Sequence, residues 1–130
     1  SGYLRASRDL EQTAGSERAL PAYLAATLRW PDEPLPWLTL GNSYYACSDY
    51  VAAEQAFRQA TRLAPHTPEG WNNLAYALLQ NGCPRLALQT ARCAAELAGD
   101  DARYLESVNE IRPAVHGGAD ASHCQVINCP

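Results

Sequence analysis

The chain has 130 residues, 47% hydrophobic and 18% charged, with a formal net charge of −4, which suits one globular domain and excludes a disordered segment. All ten basic residues are Arg and form no cluster, so little is offered to a phosphate backbone and nucleic acid is not the expected partner. No run approaches the roughly 18 apolar residues that would cross a bilayer, and no leader pattern is readable.

In chain order, Ser1-Gly2 reads as the remnant of an expression tag, with the natural protein expected to continue upstream. Leu4, Ala6, Ser7 and Leu10 give a short amphipathic helix over about 3–13, broken at Ala14-Gly15. Ser16 can cap a second helix to about residue 29, with Ala19, Tyr23, Ala26 and Trp30 on or near one face. Asp32, between Pro31 and Pro34, is the expected cap of a third helix over about 34–47. Ser48-Asp49 turns the chain, and Asp49 caps a fourth helix to about residue 64, striped with Ala53, Ala56, Phe57, Ala60 and Leu63. Pro65 stops it, and Thr67-Pro68 restarts the chain as cap and first residue of a helix over 68–80. Asn81-Gly82 marks a turn, Pro84 opens a sixth helix to about 98–99, and Asp100 is the expected cap of a seventh over 101–111. Beyond Pro113 the periodicity stops, and 113–130 reads as an irregular tail.

One spacing organises all of this. Trp37, Leu40, Gly41, Tyr44, Ala53, Phe57, Ala60 and Pro65, shifted by 34, land on Trp71, Leu74, Ala75, Leu78, Ala87, Ala91, Ala94 and Gly99. Ala19, Tyr23, Ala26 and Pro31 are the earlier partners of the last four. Self-similarity at this period is the mark of a helical solenoid, whose hairpins bury their apolar faces only by stacking. Gly41 and Ala53 are expected to let two backbones cross closely, as are Ala75 and Ala87, with Trp37, Leu40, Tyr44, Phe57 and Ala60 supplying the surrounding core.

These positions resemble the tetratricopeptide repeat throughout the copy from Trp37 to Pro65, and the next copy departs only at Ala75, Leu78, Ala91 and Gly99. The resemblance implies an all-α, right-handed superhelical solenoid of about seven antiparallel helices. Its repeats would cover 3–33, 34–67 and 68–101, with a capping helix over 101–112. It also implies a concave face lined by the first helix of each repeat. Arg8, Leu38, Asn42, Tyr45, Asn72, Tyr76 and Leu79 then become candidate peptide-binding residues, with Glu106 and Glu110 at the end of the face. Tyr brings rigid amphipathic area and Asn can bond a peptide backbone. The Lys, Asn and Arg clamp of chaperone-binding members is absent, so acidic C-terminal peptides fit poorly. A narrower likeness, carried by Trp71-Asn72-Asn73-Leu74-Ala75, Gly82-Cys83-Pro84 and Arg92-Cys93-Ala94, is to the repeat region that follows a papain-like, C39-type cysteine peptidase domain in bacterial exported proteins. It implies an accessory domain beside an upstream peptidase, in the periplasm or at the outer membrane; a cytoplasmic scaffold is the alternative.

Catalysis is not expected in this chain. His66 lies between two prolines, and nothing orients it towards Cys47 or Cys93 or supplies an oxyanion hole. His116, His123, Cys124 and Cys129 are zinc-type ligands, but their spacing matches no usual structural site, so neither metal nor cofactor is expected. Asp100 and Asp101 read as helix-start residues. Of the five cysteines, Cys83 and Cys93 stand about 15 Å apart along one helix and cannot pair with each other. A local Cys124–Cys129 bridge, a bridge from one of these to Cys93, and Cys47–Cys83 all remain open. The expected function is a protein- or peptide-binding scaffold.

Overall fold

The computed structural model describes residues 16–130; the helix expected over 3–13, Arg8 with it, lies outside the described residues. Six α-helices follow: α1 (Ser16–Arg29), α2 (Pro34–Ala46), α3 (Tyr50–Leu63), α4 (Pro68–Gln80), α5 (Pro84–Leu97) and α6 (Ala102–Ile111). A 3-10 segment, Arg112–Gly117, closes the helical part, and among the described residues there is no strand. The architecture is all-α, and each helix ends within a residue or two of its expected bound.

Proline opens α2, α4 and α5 at the first turn, where a missing N–H costs nothing. The caps are partly those expected. Asp49 accepts from the Ala52 N–H at 3.2 Å. Glu33, not Asp32, holds the cap position of α2, and neither Glu33 nor Thr67 caps with its side chain. Asp100 does not cap α6. Its N–H bonds the Ala95 carbonyl at 2.8 Å, and it follows Gly99 in the left-handed region, so it is committed to ending α5. Asp101 is the cap, accepting from the Arg103 N–H at 2.9 Å. Arg103 also bonds it through its guanidinium, and these two contacts hold the Asp101 carboxyl below the usual carboxylate range.

The period of 34 is visible in the hydrogen bonds. Trp37 Nε1 donates to the Pro31 carbonyl at 2.9 Å, and Trp71 Nε1 to the Pro65 carbonyl at 2.8 Å. The Asp49 N–H reaches back to Tyr44 and the Cys83 N–H to Leu78, each closing a turn around a left-handed residue, Ser48 at φ 61° and Gly82 at φ 81°. The repeats that open at Pro34 and Pro68 thus each use one indole clasp at the entry and one left-handed turn between their helices.

The described residues fall into two compact units, one ending at Leu63 and the other running from Ala64 to Pro130. In the first, α1 packs on α2 and α2 on α3. Ala19, Tyr23, Leu40 and Ala56 form a buried cluster with Leu20, Trp37 and Tyr44 against it; Ala53, Phe57 and Ala60 are also buried. The nearest group that a Cβ at residue 41 would meet is the Phe57 ring, 2.4 Å away. In the second unit α4 packs on α5 and α5 on α6. Trp71, Leu74, Ala75, Leu78, Ala87, Ala91, Ala94, Val108 and Ile111 are buried there.

Candidate functional site

Two features of the second unit could carry function: the face of α4 towards α6, and a tail clasped onto α5. On the first, the Tyr76 hydroxyl donates to a Glu110 carboxylate oxygen of α6. Residues 76 and 110 are one period apart, so one register position recurs on α4 and α6 within the second unit. Asn72 lies one turn before Tyr76, and its side-chain carbonyl oxygen is buried with no donor among the described residues. Such an acceptor costs about 1–3 kcal/mol until a donor reaches it. Leu79 is half-buried, while Gln80, Glu106 and Glu110 are exposed.

In the first unit Asn42 is exposed, and Tyr45 is half-buried with its ring edge-on to Tyr50, centroids 5.0 Å apart. Leu38, expected on the binding face, is 8% exposed and belongs to the core. A leucine side chain gains from being covered, and register alone does not fix what packs over it.

Of the pairings left open, the structure contains the bridge from the tail to Cys93 and neither Cys124–Cys129 nor Cys47–Cys83, and it adds a bridge from Cys124 to Cys83 that was not among them. Cys124 bonds Cys83, and Cys129 bonds Cys93; Cys124 and Cys129 are not joined, and Cys47 is a free thiol. The reason is a match of rises. Ten residues of helix from Cys83 to Cys93 advance about 15 Å, and five extended residues from Cys124 to Cys129 advance about 17 Å. A tail laid along α5 therefore meets both helix cysteines in register. Cys83 and Cys93 stay unbonded to each other, as the same geometry requires.

Other bonds seat the tail. Asp120 accepts from the Arg85 N–H at 2.7 Å and the Leu86 N–H at 3.0 Å, so the α5 N-terminus is capped by a residue 35 and 34 positions beyond those two donors. Cys83, in the cap position itself, makes no side-chain cap bond. The Arg85 guanidinium donates to the Gly118 carbonyl, the Ala121 N–H donates to Gly82, and His123 Nε2 lies 2.8 Å from the Asn81 carbonyl. Between tail and helix a cavity of about 280 Å³ is lined by Trp71, Gln89, Thr90 and Cys93 below and residues 126–129 above.

Of the possible ligand set, the structure brings His123 and Cys124 together with Cys83, donor atoms within 4.8 Å of one another, and leaves His116 and Cys129 out. Both sulfurs are joined in a disulfide, so neither is a thiolate ligand. Cys93 is likewise bonded and offers no nucleophile. His66 is exposed in the turn before α4. Among the described residues no helix is long and apolar enough to cross a membrane.

Residues 41–82 match the family model for the TPR repeat. No curated protein matches the chain.

Proposed function

We propose that this chain, whose residues 41–82 match the TPR repeat, a repeat that generally mediates protein–protein interaction, is a non-catalytic scaffold for an extended peptide segment of a protein partner. In the second unit the contacts run over the first-helix face through Asn72, Tyr76 and Leu79; Asn42 and Tyr45 hold the register positions of Tyr76 and Leu79 on the corresponding helix of the first unit. The observation that carries this reading is the Tyr76–Glu110 hydrogen bond, which orders an amphipathic ring on the face that also bears Asn72. The Asn72 carbonyl oxygen, buried in the free chain, becomes an acceptor for a backbone N–H when its amide turns outward. Tyr76 is held by Glu110 and Tyr45 by Tyr50, so both rings meet a partner already ordered and lose little entropy on binding. The two disulfides support folding in an oxidising compartment.

The test compares partner capture from the source organism by the parent chain, by Tyr45→Ala with Tyr76→Ala, and by the controls Arg62→Ala and Arg92→Ala. Each Tyr is expected to contribute about 2 kcal/mol of binding, so the double variant stays helical and loses its partner while the controls keep it. Normal binding by the double variant, with loss in a control, would move the interaction to another face.

A further inference from the structure

The two disulfides differ in what surrounds the helix sulfur. Cys83 is fully buried at the cap position of α5, with His123 Nε2 4.0 Å from its Sγ, while Cys124 is partly exposed. Cys93 is buried in the middle of the same helix, and its adjoining cavity is lined by Trp71, Gln89, Thr90 and residues 126–129, with no cationic group. Its partner Cys129 is exposed.

We propose that Cys83–Cys124 is a thiol-exchange site, attacked at Cys124 Sγ by the thiolate of a small thiol or a dithiol reductant, with Cys83 as the leaving group. Burial permits approach to only one of the two sulfurs. The incoming sulfur bonds to Cys124 Sγ as the Sγ–Sγ bond breaks, and the bonding pair leaves on Cys83 Sγ. That thiolate forms at a helix N-terminus beside the His123 imidazole, and a stabilised leaving thiolate departs faster. The His123 Nε2–H serves the Asn81 carbonyl at 2.8 Å in the closed form and turns to the sulfur 4.0 Å away once it carries charge. Asp120 and Arg85 are the other charged groups at this helix end. The Asp120 carboxylate opposes the new charge while seated, and the Arg85 guanidinium offsets it. With a dithiol, its second sulfur attacks the first and expels Cys124 as a thiolate. Two electrons then pass from dithiol to disulfide, and the two new thiolates take their protons from the reductant's thiols through solvent.

Opening would not discard the tail. Cys129–Cys93, the Asp120 cap and the bond from Ala121 to Gly82 still hold Cys124 near Cys83, so the exchange is reversible within one molecule. At Cys93–Cys129 the leaving thiolate would form in mid-helix beside an uncharged cavity. Access alone favours attack at exposed Cys129; leaving-group stabilisation favours attack at Cys124. The order of opening therefore decides between the two.

The full chain, its Cys47 first blocked by alkylation, is exposed to reduced glutathione, quenched with a second alkylating reagent over time and mapped by mass spectrometry. The expected first product carries glutathione on Cys124 and the second reagent on Cys83, with Cys93–Cys129 intact. His123→Ala, an exposed tail substitution, should slow this opening at least about fivefold and leave the rate at Cys93–Cys129 unchanged. Opening of Cys93–Cys129 first, glutathione on Cys83, or an undiminished rate in His123→Ala overturns the proposal.

Discussion

At residue 41 the balance is between backbone and ring. Glycine inside a helix costs about 1 kcal/mol against alanine, so Gly41 is tolerated only for what its missing side chain admits. That is the Phe57 ring, 1% exposed and without room to retreat. Gly41→Ala should therefore destabilise the protein by about 1–2 kcal/mol net, overpacking outweighing propensity. Phe57→Ala alone should cost about 3–5 kcal/mol. In that background Gly41→Ala should change sign and stabilise by about 1 kcal/mol, because the ring that forbade it is gone. Denaturant midpoints for the four members of this cycle test it; additive effects would mean the ring is not what residue 41 avoids. The second repeat already carries this combination, Ala75 and Ala91, both fully buried.

Among the elements, the inter-helix turns show which local rules hold. The turn from α2 to α3 and that from α4 to α5 share their hydrogen bonds, yet the left-handed position is Ser48 in one and Gly82 in the other. A non-glycine residue there is strained by about 1–2 kcal/mol through its Cβ. Glycine removes that strain and gives part of it back as unfolded-chain entropy. Ser48→Gly should thus stabilise the first unit by about 0.5–1 kcal/mol, read as a raised urea midpoint with an unchanged slope. A lowered midpoint would mean that the Ser48 hydroxyl contributes more than its Cβ costs.

For the molecule as a whole, the decisive long-range constraint is the tail on α5. Its disulfides close sequence separations of 41 and 36, and a loop of that size stabilises by about 4 kcal/mol in the chain-entropy account, more in theory than is usually delivered. The loops overlap, so their contributions do not add. Replacing Cys93 and Cys129 together by Ala should cost about 2–4 kcal/mol, measured by chemical unfolding against the parent. Hydrogen exchange should quicken over 125–130 and much less at the N–H groups of Arg85 and Leu86, which Asp120 still caps. Quickening at both ends alike would mean that the cap depends on the far disulfide.

The helices were legible because their signals are local and repeated: proline at the first turn, a 3.6-residue apolar stripe, and a 34-residue period that keeps indole on indole. The candidate binding face was legible only as a register. Whether a side chain at that register is surface or core depends on what packs over it, and Leu38 went to the core. The tail was the least legible part. Its residues have no period, and helix N-termini are ordinarily capped from the preceding residues, so Asp120 carried no sign that it would cap α5. Cys124 and Cys129 gave a partial sign, since a spacing of five in an extended segment matches ten in a helix. Local spacing favoured their mutual bridge, and only the course of the tail along α5 determined which cysteines came within bonding distance.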